Sequence, residues 1–499
     1  MFKNSCLTIL FSVCQLCITP IAQAAYLDYI GYSALLSELG ASTPNGAGVK
    51  VTHAEAAVSR PPPVYLPDSN NTQFSGKSII DKSGLGSGSY SAHATSVGTM
   101  FYGNSSSMTP GIKAIDAYLA DNWLAADYLR GGDPRQPLIS SSRVANHSWV
   151  GSSGSPDLLR RVDWVVARDE FIQVVGVNNG VGTNVPLLSS AYNVISVGRT
   201  DGQHATSTPA LDTTYTAGRT RPDIVAPMST TSGATPVVAS AAALLVGVGH
   251  DNPGLSTDPN VQSTANRNGD VIYNAERSEV IKAVLMAGAD RQTNNSSGAN
   301  ITDYRAAPAN QTANGLDSRF GAGQVNILNS YHIIAAGEQN STEDGGVGVI
   351  GQNGFDYDPH FGGGAGSNGT ATYRFSTTGP SKLSASLVWN INIAGGTASA
   401  FSGNATLFDL DLRLYDVTGT PLLIAESASL TENTENIWTS LVLGRNYLLE
   451  VVPGKTQAPF DWDYALAWNV TAVPIPAALP LLLSGLAGFF FVARRRNKG

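Results

Sequence analysis

Two different periodicities divide the chain. In the first two thirds, apolar runs of strand length, such as Phe171 to Val177 and Val194 to Val197, alternate with stretches of helical length, Val237 to Val246 and Glu279 to Met286. Strand and helix in alternation predict an α/β layer fold built on a mostly parallel sheet. From residue 372 to 470 the pattern shortens to period two, in Thr372-Tyr373-Arg374-Phe375, Ser384 to Trp389, Leu410 to Tyr415 and Tyr447 to Val452. Turn residues such as Thr418-Gly419-Thr420-Pro421 separate these runs, and together they predict a small antiparallel β-sandwich. Between the two regions, residues 336–371 carry Gly345-Gly346, Gly362 to Gly364, Gly366 and Gly369 among Asn, Ser and Asp, a composition expected of a linker. The polar stretch Asn252 to Asp270 reads as a surface insertion, and no internal repeat is found.

Both ends carry targeting patterns. Lys3, the apolar Leu7 to Ile18 and the small-residue pair around Gln23 in Ala22-Gln23-Ala24 make residues 1–24 a secretory signal. Its apolar run is shorter than the ~20 residues a membrane span needs. At the other end, Val473-Pro474-Ile475-Pro476-Ala477-Ala478 leads into the apolar Leu479 to Val492, closed by Arg494-Arg495-Arg496 and Lys498. Such a helix should lodge transiently in the inner membrane with its arginines in the cytoplasm. This tail, residues 473–499, resembles PEP-CTERM sorting signals, which implies removal by an exosortase-type enzyme in a Gram-negative bacterium. The expected units are thus 1–24, an α/β domain over 25–335, the linker 336–371, a sandwich over 372–471, and the tail.

Composition sharpens this picture. A chain of 499 residues with 42% hydrophobic, 14% charged, 52 Gly and 26 Pro is apolar enough for two or three folded units and too apolar for disorder. All three cysteines, Cys6, Cys14 and Cys17, lie in the signal, so disulfides, thiolate catalysis and cysteine-ligated metals are excluded from the mature protein. Removing Lys3 and the four basic residues of the tail moves the net charge from −8 to 25 − 38 = −13, which argues against nucleic acid as a partner.

Candidate chemistry starts at Ser232, directly before the apolar run Val237 to Val246. A serine at a helix N-terminus has unpaired backbone N–H groups beside it that stabilise negative charge. Arg221-Pro222-Asp223-Ile224-Val225-Ala226-Pro227 and then Thr231-Ser232-Gly233-Ala234-Thr235-Pro236 resemble the segment that carries the nucleophile in subtilisin-like peptidases. Thr230 replaces that segment's usual glycine and Gly233 its methionine. A serine hydroxyl needs a base within reach. His93 and His204 both occur in His-Ala-Thr-Ser; His93 precedes small residues suited to a close-packed helix and resembles the family's histidine, whereas His204 reads as a solvated loop residue. The strand Gly48 to Glu55 resembles the family's first catalytic strand, with Glu55 where aspartate is usual. Glutamate can hold one imidazole tautomer and stabilise the imidazolium in the same way. His53, two residues earlier, should share its face and either compete or add a contact. The chain order of acid, histidine and serine matches the subtilisin arrangement.

The resemblance extends to three further segments. Phe171 to Val177 ends in Asn178-Asn179-Gly180, which implies Asn178 as oxyanion donor. Val144 to Gly151 resembles the segment that pairs with substrate backbone, implying a polypeptide substrate near Ser148, Trp149 and Gly151, with Trp149 either a pocket wall or a core residue. Phe320 to Asn326 resembles the signature closing these domains, and the run from Asp409 to Asp416 resembles sandwich modules that follow them. Only 30 residues separate Ala25 from Glu55, too few for a folded inhibitory prodomain. Two readings follow: an exported serine endopeptidase at the cell surface or beyond, and a catalytically silent subtilisin-like binding module of the extracellular matrix, suggested by Glu55 and the replaced glycines. A metal-dependent hydrolase lacks His-Glu-x-x-His or comparable spacing. No cofactor is implied, and nothing in the sequence indicates structural calcium.

Overall fold

Seven strands build the first region of the protein, whose computed structural model describes residues 20–59, 61–86, 88–151, 154–185, 187–292, 304–454 and 457–473. The signal and tail expected at the two ends lie outside these, apart from residues 20–24 and 473. The strands are β1 (Val51–Glu55), β2 (Ser78–Asp81), β3 (Ala114–Leu119), β4 (Val144–His147), β5 (Ile172–Gly176), β6 (Ile195–Arg199) and β7 (Ile224–Ala226). They form one sheet in the order β2-β3-β1-β4-β5-β6-β7, every neighbouring pair parallel.

The helices of this region are α1 (Pro20–Tyr29), α2 (Tyr32–Leu39), α3 (Ala92–Tyr102), α4 (Ala120–Leu124), α5 (Pro156–Asp169), α6 (Thr231–Asp251), α7 (Ser278–Gly288) and α8 (Ile327–Ala335). Residues from α3, α6, α7 and α8 form one core with Val51, Val144, Val174 and Val197 on one face of the sheet. On the other face Trp123 and α5 pack against Ala54, Ala145 and Val175. Adjacent residues such as Val174 and Val175 thus serve opposite layers, which is why these strands read as unbroken apolar runs. This is the α/β layer architecture on a parallel sheet expected from the sequence, here with helices on both faces.

The insertion after α6 holds a short antiparallel hairpin, β8 (Ser263–Ala265) with β9 (Val271–Tyr273). Among the described residues the strands that follow are β10 (Asn353–Phe361), β11 (Ala371–Ser376), β12 (Ser381–Val388), β13 (Asn392–Ile393), β14 (Ala405–Thr406), β15 (Leu410–Asp416), β16 (Leu422–Ser427), β17 (Thr434–Leu441), β18 (Asn446–Pro453) and β19 (Trp462–Ala472). They make two four-stranded antiparallel sheets, β10-β19-β12-β17 and β11-β18-β15-β16, and a small β13–β14 ladder. The expected sandwich is therefore present, but the expected linker is not all linker. β10 lies inside residues 336–371 and pairs with β19 from Asn353↔Asn469 to Phe361↔Trp462.

The sandwich is also not a detached module. Phe355, Tyr357, Val388, Ala465 and Ala467 belong to the same core as α6, α7 and α8. Along β19, Tyr464, Leu466 and Trp468 fill the core between the two sandwich sheets instead. Period-two alternation thus lets one strand serve two cores. Caught between the parallel sheet and the sandwich, α7 is buried along its whole length.

Candidate active site

The order of strands in the parallel sheet marks where a site can form. β1 lies between β3 and β4, so the chain leaves β1 toward one edge and continues from β4 toward the other. Connections that diverge from neighbouring parallel strands leave a crevice at their carboxyl ends. Glu55 is the last residue of β1, Ser148 follows β4, and Asn178 follows β5.

Glu55 is only 2% exposed. Val51, His53 and Glu55 alternate onto the face of the sheet that α3 and α6 cover. Ser91 caps α3, its Oγ accepting from Ala94 N at 3.1 Å, which puts His93 in the first turn of that helix. There His93 Nδ1 lies 2.8 Å from Glu55 Oε2. The side chain of His93 remains 41% exposed. The hydrogen bond with Glu55 raises the His93 imidazole above its ordinary value, against the opposing effect of burial. Burial alone would raise the Glu55 carboxyl, yet hydrogen bonds and charge from His53 and His93 hold it below its ordinary value.

Ser232 is half-buried at the second position of α6. Thr230 caps this helix, its Oγ1 accepting from Gly233 N at 3.0 Å. Ser148 Oγ donates to the Ser232 carbonyl at 3.0 Å, and Asn179 Oδ1 accepts from Thr231 N at 2.9 Å. The loops after β4 and β5 are thereby tied to the start of α6, and α3 packs against α6. Asn178 accepts from Val185 N at 3.3 Å through Oδ1; among the described residues its Nδ2 has no hydrogen-bond partner. Nor, among the described residues, does a hydrogen bond join His93 Nε2 to Ser232 Oγ.

Other candidates fall differently. Trp149 is 9% exposed, lies in the core beside α5 and meets His147 edge-on at 5.7 Å, so its ring takes part in core packing. Gly151 is a close-approach position: a Cβ there would lie 2.9 Å from Leu187 Cβ. Ser148 is 4% exposed and engaged with the Ser232 backbone. His204, expected to be solvated, is buried; its Nδ1 accepts from Arg199 N at 3.0 Å and its Nε2 donates to Arg319 O at 2.7 Å. Burial pushes it down to about 4.

His53 does add the contact expected as one alternative: its Nε2 lies 3.0 Å from Glu55 Oε1, and its Nδ1 lies 2.9 Å from Tyr102 Oη. Tyr102 and the tie through Asn179 were missed by sequence reasoning. The Ser148 clamp was legible in principle, since Pro236 stands four residues after Ser232. Among the described residues no three His, Cys, Asp or Glu side chains converge to hold a metal ion.

No family model and no curated protein sequence matches the chain. Among solved structures, it is similar to the patellamide maturation protease PatA, with 17% identity and a TM-score of 0.36 over 58% of this chain and 98% of that one. A protease from Pseudoalteromonas arctica matches with 14% identity and a TM-score of 0.34, covering 58% of this chain and 91% of that one. The pre-peptidase C-terminal domain of a Bacillus anthracis collagenase matches with 16% identity and a TM-score of 0.18, covering 24% of this chain and 92% of that domain. Likenesses at these scores decide nothing about chemistry, which has to be read from the site itself.

Proposed function

We propose that this chain is an exported serine endopeptidase of the subtilisin-like kind, acting on polypeptides through an acyl-enzyme. The observation that carries this reading is the 2.8 Å contact between His93 Nδ1 and Glu55 Oε2, at the carboxyl end of β1 and on the side of the sheet where α6 begins with Thr231 and Ser232. A carboxylate accepts only, so the nitrogen facing it bears hydrogen and Nε2 is left as the base. Ser232 Oγ attacks the scissile carbonyl carbon while its proton passes to His93 Nε2. Glu55 pairs with the imidazolium so formed. Asn178 Nδ2 and the backbone N–H of Ser232 donate to the oxyanion. As the tetrahedral intermediate collapses, the C–N bond breaks and His93 returns the proton to the leaving amine. Water, deprotonated by the same nitrogen, attacks the acyl carbon; the ester C–O bond breaks, His93 returns the proton to Ser232 Oγ, and the carboxylic acid product leaves.

Residues 1–24 direct export, and the tail 473–499 holds the chain briefly in the inner membrane until an exosortase-type enzyme removes it. The protein then acts at the cell surface or outside the cell. The test is reaction of the full chain with a fluorophosphonate probe. Labelling that disappears in Ser232→Ala and in His93→Ala is expected. A folded wild type that takes no label would instead identify a catalytically silent binding module.

A further inference from the structure

We infer that His53, backed by Tyr102, is a positioning residue that fixes the Glu55 carboxylate so that it can orient His93. The inference rests on the peptidase reading above. A glutamate carboxylate swings on one more bond than an aspartate, and at 2% exposure water does not hold it in place. A bond to His93 alone would engage Oε2 and leave Oε1 buried without a donor, which is costly. His53, itself 1% exposed, fills that gap from the same face of β1, with Nε2 3.0 Å from Oε1.

With His53 neutral, the hydrogen placement closes in only one way. Glu55 accepts from both imidazoles, so His53 bears hydrogen on Nε2 and, when neutral, accepts on Nδ1. Tyr102 Oη, 2.9 Å away, is the donor that this nitrogen requires. Burial and the nearby Glu55 charge keep the phenol protonated. The chain of bonds runs from Tyr102 to His53 to Glu55, with His93 donating to the other carboxylate oxygen. Every buried polar atom in it is satisfied, and one negative charge is left to face His93. Among the described residues His147 on β4 also interacts with His53; it is buried, bonded to Gln173 Oε1 at 2.8 Å and pushed down to about 4 by burial, so it adds no charge near neutrality. Gly98, one helical turn before Tyr102, makes room for this arrangement: a Cβ there would lie 2.6 Å from Tyr102 Oη.

The test compares fluorophosphonate labelling rates of the full chain across pH for wild type, His53→Phe, His53→Gln and Tyr102→Phe, with thermal melting as a fold control. Outer partners that orient a reactive group typically cost about 10–100-fold when removed, as known for metal ligands. His53→Phe should label about tenfold or more slowly. Its acid limb should move to lower pH, because a less firmly ionised Glu55 stabilises the His93 imidazolium less. His53→Gln keeps a donor for Oε1 and should recover most of the rate. Tyr102→Phe should shift both readouts the same way by less, and it decides alone should His53→Phe fail to fold. Wild-type rates with an unmoved limb in both Phe variants would overturn the inference. Equal slowing in His53→Phe and His53→Gln with an unmoved limb would do so too, reducing His53 to packing. A wild type that takes no label at Ser232 would overturn the peptidase reading itself, and the inference with it.

Discussion

Ser148 Oγ donates to the carbonyl oxygen of Ser232 across 3.0 Å. In an uninterrupted helix that carbonyl would accept from the N–H four residues on. Here that residue is Pro236, which has none. The backbone of the candidate nucleophile is therefore held from the sheet side, by the loop after β4, and not by its own helix. Removing the Ser148 hydroxyl leaves a partly buried acceptor without a partner, at a cost of about 1–3 kcal/mol.

Ser148→Ala should lower thermal stability and slow the labelling of Ser232. Pro236→Ala restores a helical N–H, so in the double variant part of both losses should return. Melting curves and labelling rates of the two single variants and the double variant check this. Purely additive losses would mean that the clamp does not act through the Ser232 carbonyl.

The pairing of Glu55 with His93 sets a pH dependence. His93 must be neutral to act as a base, and its bond with Glu55 raises it above the ordinary imidazole value. The rate should therefore climb with pH through a limb lying above about 6.5, the unperturbed value. For stability the sign is opposite: the His93 contribution is full below its unfolded value and fades as pH rises through the folded one. Glu55→Gln removes the charge and should shift the limb to lower pH while slowing labelling. An unmoved limb in Glu55→Gln would take Glu55 out of the mechanism.

The layered fold was legible because two periodicities, runs buried on both faces and runs alternating at period two, differ in their physics. Glycine-rich composition misled at β10. Phe355 and Tyr357 alternate there with Asp356 and Asp358, and the glycines on either side suggested a linker. Those two acids are each 1% exposed, a burial that composition alone argues against. In the site, Ser232, His93 and Glu55 could be singled out from local motifs. His204 was expected to be solvated and is buried instead, since the carbonyl it meets belongs to Arg319, far along the chain. Trp149 was left open for the same reason, because its surroundings come from α5 and the loop around Leu187.

Asn178 gives a prediction that separates catalysis from folding. Its Oδ1 is used by Val185 N at 3.3 Å, while Nδ2 is the end proposed to meet the oxyanion. Asn178→Asp keeps the acceptor and replaces the donor, so the loop should hold. Losing one oxyanion donor costs about 2.7–4 kcal/mol of transition-state stabilisation, or about 10²–10³-fold in turnover. Peptide hydrolysis should fall by that amount with KM nearly unchanged. A loss confined to KM would move Asn178 from the oxyanion to substrate binding.

The seam between the two regions should weaken as pH rises. Asp258, Glu338, Asp344, Asp356 and Asp358 gather where the insertion meets β10, and all but Asp344 are at most 5% exposed. Among the described residues none of the five forms an ion pair with a basic side chain. Burial is the main reason that Glu338 is pushed up to about 7 and Asp358 to about 8, the latter helped by the charge of Asp344. Carboxyls raised in the folded state hold protons that the unfolded chain has already released. Stability is therefore lost as pH rises from the unfolded values near about 4 through the folded ones. Melting temperature should fall between about pH 5 and about pH 8. Glu338→Gln combined with Asp358→Asn is uncharged at every pH and should flatten that slope, whatever other groups contribute to it. Equal slopes in the double variant and wild type would show that these two carboxyls ionise freely in the folded protein.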